Sequence, residues 1–160
     1  MTYLTTQKDK TTFQLSPTES MTFWVTGAET NNAFTYVEGT LGYLDGPPLH
    51  MHTQEDEWVH ILEGEVRYKI GDEIVDAKAG DMVFLPRNVP HSFTNVRREK
   101  ARVVGVINSD FYPFYSALME KMKAKASHEE LHALAEKYGN KLLGPPLAVM
   151  FGLAKESVST

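Results

Sequence analysis

Residues 46–66 read GPPLHMHTQEDEWVHILEGEV, and residues 80–96 read GDMVFLPRNVPHSFTNV. His50 and His52 are separated by one residue, so on a β-strand both side chains point to the same face. Glu57 follows five positions after His52, and His91 lies in the second stretch. Three imidazoles and a carboxylate that converge from separate strands form a ligand set for a divalent transition metal. The two stretches therefore predict a β-structure with a metal site.

The chain around these stretches is divided by turn residues into short segments rich in β-branched and aromatic side chains. The predicted strands after His52 span residues 57–62, 65–70, 73–77, 82–85, 91–96 and 101–107. Many short strands at regular intervals are typical of an all-β sandwich or barrel.

The flanking segments differ from this β-rich region. Residues 1–20 are polar and threonine-rich, which predicts an N-terminal arm or edge segment, and residues 21–108 form the β-domain. In residues 109–160 the apolar spacing becomes helical. Ser127 and Glu130 have the spacing of a capping box that opens a second helix. We expect this C-terminal extension to pack on the barrel; a lid over the substrate is the second interpretation.

The composition bounds the class of protein. With 160 residues, the chain is long enough for one domain with its own core. The formal net charge of −5 argues against a nucleic-acid-binding surface. The chain contains no cysteine, so any metal ligands are nitrogen or oxygen atoms. Neither a signal peptide nor a membrane-spanning run is evident, and a cytoplasmic protein without a membrane partner is expected.

The segment from Gly46 to Asn95 resembles a cupin domain. The first cupin motif corresponds to Gly46, His50, His52, Glu57 and Gly64, and the second to Gly80, Pro86, Asn88, His91 and Asn95. Asn88 stands where the family has glycine, and asparagine tolerates the left-handed backbone of such a turn. The resemblance implies a double-stranded β-helix, the jelly-roll or cupin barrel, here followed by C-terminal helices.

The resemblance and the residue chemistry imply the same cofactor. His50, His52, Glu57 and His91 would hold one divalent transition metal, and these ligand types do not choose among Ni, Fe, Co, Mn, Cu and Zn. The interior of the barrel would enclose a small-molecule substrate. The predicted substrate-binding residues share the inward phase of the ligands and are Val59, Ile61 and Phe93.

The sequence is similar to small quercetin 2,3-dioxygenase-like cupins. This implies a metal-dependent dioxygenase for a small aromatic or enol-type substrate, with Glu57 as both metal ligand and catalytic base. The alternative is a cupin that binds or senses a small molecule without turnover. A metal-independent isomerase is disfavoured because the full ligand set is present. A homodimer is expected, because cupins commonly pair and edge strands need cover.

Other polar residues have simpler interpretations. His60 has the opposite phase to Glu57 on the same strand, so a packed or exposed side chain is expected. His128 and His132 are four residues apart on a predicted helix, which favours a solvated face over a metal pair. Glu55 and Asp56 are expected to be solvated or structural.

Overall fold

The computed structural model describes residues 10–154 of the chain. Its strands are β1 (Thr11–Gln14), β2 (Ser20–Val25), β3 (Thr35–Leu41), β4 (Pro48–His52), β5 (Glu57–Glu63), β6 (Glu65–Ile70), β7 (Glu73–Lys78), β8 (Met82–Leu85), β9 (His91–Thr94), β10 (Ala101–Ile107) and β11 (Asn140–Pro146). Its helices are α1 (Gly27–Thr30), α2 (Tyr112–Lys123), α3 (His128–Lys137) and α4 (Leu147–Met150).

The strands form two antiparallel sheets. One sheet has the order β1-β2-β3-β10-β5-β8, and the other has the order β11-β4-β9-β6-β7. The apolar core contains residues from both sheets, including Val59 and Ile61 of β5 and Val66 and Tyr68 of β6. These findings confirm the predicted all-β double-stranded β-helix with C-terminal helices.

Strand β5 shows why the sequence forms this core. Val59 and Ile61 are buried, whereas Trp58 and Leu62 are exposed on the opposite face, so burial alternates with the period of a strand. Burial of each inward aliphatic side chain contributes about 2 kcal/mol to the free energy of unfolding. The same alternation places Glu57 on the inward face, at the end of the strand.

The turns of the second stretch carry the conformations that its sequence requires. Asn88 has φ +62° and Gly80 has φ +96°, and both values lie in the left-handed region. Asn95 is buried, and its amide nitrogen donates to the carbonyl oxygens of Leu41 and Glu99 at 3.0 and 2.8 Å. Asn95 therefore ties the end of β9 to two neighbouring segments.

The segments outside the barrel motifs add strands as well as helices. β1 lies at the edge of the larger sheet, within the predicted N-terminal arm. β11 pairs with β4, and this strand was not predicted from the sequence. Ser127 and Glu130 form the expected capping box of α3.

The sequence also predicted that the chain has no membrane partner and that it forms a homodimer. No helix among residues 10–154 combines the length and the hydropathy that a membrane span requires. The homodimer stays a prediction.

Gly46 enters β4 in a conformation that only glycine adopts readily, with φ +151°. A Cβ atom there would lie 1.9 Å from the backbone oxygen of Phe93. We expect Gly46→Ala to lower the free energy of unfolding by more than about 3 kcal/mol, because strain and a backbone clash combine. Urea denaturation measures this loss.

Gly80→Ala is the matched control for this prediction. Gly80 also has positive φ, but a Cβ atom there meets nothing within 4 Å. We expect a loss of only about 1–2 kcal/mol, due to backbone strain alone. Equal losses for the two variants would contradict the proposed clash at Gly46.

Candidate metal centre

Three imidazoles converge on one inner surface of the smaller sheet. His50 and His52 alternate along β4, and His91 of β9 stands directly opposite His50 in the strand register. The ring centroids are 4.5 Å apart for His50 and His91, 5.0 Å for His50 and His52, and 5.2 Å for His52 and His91. Each histidine offers a nitrogen atom, and these three atoms lie within 4.8 Å of one another.

Backbone carbonyls orient two of the three rings. The Nδ1 atom of His50 is 2.8 Å from the oxygen of Pro48, and the Nδ1 atom of His91 is 2.9 Å from the oxygen of Val89. A carbonyl oxygen can only accept, so Nδ1 carries the proton in both rings. The lone pair of each Nε2 atom is therefore available to a metal.

Glu57 lies beside the imidazoles and comes from the opposite sheet. Its Oε2 atom is 3.8 Å from the Nε2 atom of His52, and 15 % of the Glu57 side chain is exposed. Burial raises the pKa of its carboxyl to about 7. The group of ligand atoms that lie within 4.8 Å of one another contains one nitrogen atom from each of the three histidines and no atom of Glu57. A bond from Glu57 to the metal therefore stays a prediction.

The imidazoles are held in their neutral form. Burial, together with the neighbouring imidazoles, lowers the pKa of His50 to about 3 and that of His52 to about 2. Burial also lowers the pKa of His91. A neutral imidazole is the form that binds a metal, so these three rings are ready to act as ligands at neutral pH.

The arrangement fits a divalent transition metal. The Nε2 atom of His91 is buried and has no hydrogen-bond partner in the described part of the chain. Buried polar atoms are normally paired, and a cation among the three nitrogens would pair this one. Nitrogen ligands with one nearby carboxylate suit the metals that the sequence predicted and leave the identity of the ion open.

The predicted substrate-binding residues lie at different depths. Val59 and Ile61 are enclosed in the apolar core, and Phe93 is partly buried and packs against that core. Ile61 has no exposed surface. Contact of these three side chains with a substrate stays a prediction.

Three aromatic residues near the site were not identified from the sequence as site residues. The Phe111 ring lies 5.3 Å from that of His52, just before α2. The Tyr68 hydroxyl is buried without a partner among residues 10–154. Burial raises the pKa of the Tyr68 and Tyr115 phenols, and the Glu57 carboxyl raises both further. Of these three residues, only Tyr68 had a usable signal in the sequence, because its position on β6 places its side chain on the inward face.

Glu55 and Asp56, the two carboxylates of residues 55–57 that were not predicted as metal ligands, lie in different environments. Asp56 accepts hydrogen bonds from the backbone and the guanidinium of Arg87, and these bonds lower its pKa to about 2. Asp56 is therefore structural. Glu55 is only 6 % exposed, so the solvated interpretation is wrong for this residue. Its Oε2 atom lies 3.8 Å from the Nδ1 atom of His52.

The other histidines lie away from the cluster. His60 pairs with Val104 and Met82 in the larger sheet, in the opposite phase to Glu57. On α3, His128 is exposed and His132 is half-buried, and their Nε2 atoms are 3.2 Å apart. Within residues 10–154, the three-histidine cluster is the one group of three or more potential ligands, so this pair has no third ligand.

Comparison with known families identifies the barrel. Residues 42–107 match the family model described as "Cupin domain". Residues 42–107 of the chain form a cupin domain. This match spans both histidine stretches and confirms the resemblance inferred from their motifs. No curated protein matches the chain by sequence.

Solved cupin structures share the fold at low sequence identity. A predicted oxalate decarboxylase from Thermotoga maritima has a TM-score of 0.61 and 22 % identity, covering 66 % of this chain and 98 % of that one. An RmlC-like cupin from Shewanella frigidimarina has a TM-score of 0.60 and 14 % identity, covering 71 % and 96 %. A cupin 2 conserved barrel domain protein from Rhodopseudomonas palustris has a TM-score of 0.52 and 22 % identity, covering 62 % and 70 %.

The cluster predicts one divalent metal ion per chain. We expect His52→Ala and His91→Ala to weaken metal binding by at least about 100-fold, because each removes a nitrogen ligand. Elemental analysis of the protein from its native host, followed by chelator competition, measures this. His60→Ala and His132→Ala are the controls and are expected to bind metal as the wild type does. Equal affinity in all four variants would contradict the assignment.

The pKa values predict how metal binding depends on pH. His50 and His52 are already neutral at pH 6 and burial lowers the pKa of His91, whereas Glu57, with its pKa of about 7, must lose a proton to become a ligand. We expect affinity to fall about tenfold per pH unit below 7, because one proton competes with the metal, and to level off above 7. Glu57→Gln should abolish this dependence between pH 5.5 and 7. A pH dependence of the affinity that corresponds to two or three protons released on metal binding would contradict the conclusion that the imidazoles are neutral.

Proposed function

We propose that this cupin is a metal-dependent dioxygenase for a small aromatic or enol-type substrate, similar in reaction to quercetin 2,3-dioxygenases. The observation that carries the proposal is the position of Glu57, whose Oε2 atom lies 3.8 Å from the Nε2 atom of His52, beside three neutral imidazoles. A carboxylate at this position can accept a proton from a hydroxyl group placed among the imidazoles.

The residues divide into those that hold the metal and those that handle the substrate. His50, His52 and His91 would hold the metal through Nε2, with Glu57 as the fourth ligand. A divalent metal bound there would supply Lewis-acid stabilisation of an anionic oxygen and redox access to dioxygen. In the proposed reaction the enolate itself is oxidised and both oxygen atoms enter the cleaved product, so the substrate supplies the electrons and no external reductant is required.

The proposed role of Glu57 is to take a proton from the substrate. An enol or flavonol hydroxyl placed at this site transfers its proton to a carboxylate oxygen of Glu57, which leaves an electron-rich enolate. Burial raises the pKa of the Glu57 carboxyl to about 7, and a bound cation would lower it, so Glu57 would be ionised and able to accept this proton at neutral pH.

The surroundings of Glu57 support an aromatic substrate. Phe111 lies against His52, and Phe93 lies 5.4 Å from the Tyr68 ring. Aromatic rings favour edge-to-face and offset contacts with a flat ligand, and they exclude water from the base. The Tyr68 hydroxyl can donate a hydrogen bond to a substrate oxygen.

Binding without turnover is the second candidate function. His52, His91 and Phe111 are all less than 7 % exposed, so little of the imidazole cluster is open to solvent. A closed site of this kind also suits a protein that retains a small molecule.

Flavonol titration of the metal-loaded protein without oxygen separates these candidates. We expect the flavonol absorption to shift to longer wavelength, because Glu57 removes the hydroxyl proton. Oxygen uptake on admission of air then supports the dioxygenase. A spectral shift without oxygen uptake over a panel of enols and flavonols supports binding alone. Oxalate is tested separately, by release of carbon dioxide, because the Thermotoga maritima structure is described as a predicted oxalate decarboxylase. No spectral change with any flavonol would exclude that class.

Glu57→Gln tests the base directly. We expect turnover per bound metal ion to fall about 10²- to 10⁴-fold, because an amide cannot accept the proton. Glu63→Gln is the matched control. It lies at the far end of the same strand, where its carboxylate pairs with Arg102. Unchanged turnover per metal ion in Glu57→Gln would refute the role of Glu57 as base.

A further inference from the structure

We infer that Glu55 is a positioning residue for His52: its carboxylate accepts a hydrogen bond from Nδ1–H of His52 and thereby leaves Nε2 free for the metal. The inference rests on the metal centre of the proposed function, but it concerns a residue outside the predicted ligand set.

Two unpaired polar atoms face each other at this point. The Nδ1 atom of His52 and the Oε2 atom of Glu55 are both buried, and neither has a hydrogen-bond partner in the described part of the molecule. They are 3.8 Å apart. Unpaired buried donors and acceptors are rare because each costs free energy. The simplest solution is that these two atoms pair with each other.

The distance favours a direct bond over a bridging water. A water between the two atoms needs about 2.8 Å to each, which places them roughly 4.5–5.5 Å apart. The observed separation is shorter than this, and an approach of about 1 Å brings the pair to hydrogen-bond distance. The other oxygen of Glu55 lies 3.4 Å from the Ser109 hydroxyl, which can donate to it.

His52 needs this partner because its backbone does not provide one. The Nδ1 atoms of His50 and His91 each contact the carbonyl oxygen two residues earlier, whereas the Nδ1 atom of His52 faces Glu55. Glu57 lies 3.8 Å from the Nε2 atom of His52 and, as a carboxylate, favours a proton on that nitrogen. A ring protonated at Nε2 cannot bind metal there. Glu55 opposes this effect by favouring the proton on Nδ1.

The loop that carries Glu55 is anchored on its other side. The backbone nitrogen of Asp56 donates to the side-chain oxygen of Asn108 at 2.9 Å. The Asp56 carboxylate accepts a hydrogen bond from the backbone nitrogen of Arg87, also at 2.9 Å. These bonds hold Asp56 outward while Glu55 points inward. Asp56→Asn keeps the backbone nitrogen and an acceptor oxygen for the Arg87 nitrogen, so this variant supplies a matched control.

The first measurement is the tautomer of His52 in the full-length, metal-free protein. Nitrogen NMR of ¹⁵N-histidine-labelled protein distinguishes protonation at Nδ1 from protonation at Nε2. We expect Nδ1–H in the wild type and in Asp56→Asn, and a shift toward Nε2–H in Glu55→Ala. The His50 and His91 tautomers should stay unchanged in every variant. If Glu55→Ala does not fold, Glu55→Gln serves instead, with a partial shift expected because its amide presents either oxygen or nitrogen.

The second measurement is Zn²⁺ affinity by competition with a chromophoric chelator. We expect Glu55→Ala to weaken binding about 10- to 100-fold, as for other residues that orient a metal-binding histidine. Glu55→Gln should fall between this value and the wild type. Asp56→Asn removes the same charge from a residue that contacts no imidazole, so it should change Zn²⁺ affinity less than about threefold.

The two measurements separate the possible failures. Wild-type protein that binds no Zn²⁺ would contradict the metal centre, while the tautomer of His52 would still test Glu55. An unchanged His52 tautomer in the Glu55 variants, or Zn²⁺ affinities equal to that of Asp56→Asn, would overturn the role of Glu55.

Discussion

The pairing of β4 with β9 places His50 directly opposite His91, and the rest of the site is arranged around this contact. The alternation of β4 adds His52 on the same face, so two adjacent strands present three imidazoles. The sheet that packs on this face supplies Glu57 from β5. A shift of either strand by one residue would turn its ligands to the opposite face. The register of the strands therefore determines which side chains form the site.

Burial explains the electrostatic character of the site. The same loss of solvation lowers the pKa values of the imidazoles and raises that of Glu57, because in each case the neutral form is favoured. The protein thus holds several ionisable groups close together with little charge among them. A divalent cation would reverse the balance at Glu57 by stabilising its carboxylate, while the imidazoles would bind without losing protons.

The C-terminal extension contributes to the site as well as covering the barrel. β11 pairs along β4, with Asn140 opposite His52 and Leu142 opposite His50. The backbone nitrogen of Thr53, the residue after β4, donates to the oxygen of Gly139 at 2.8 Å. Phe111 contacts the His52 ring from the segment that enters α2. The ligand strand is therefore held on both edges, which restricts the positions of its imidazoles.

The sequence by itself determined the strands from β5 to β10 and the shared face of His50 and His52, because alternation and turn residues are local properties of the chain. It also indicated the left-handed turn at Asn88 and the cap at Ser127. Only the tertiary structure decided that Glu55 is buried against His52, that Phe111 covers that ring and that residues 140–146 form a strand. These contacts join positions whose proximity depends on how the sheets and helices pack, and no local period of the sequence encodes that packing.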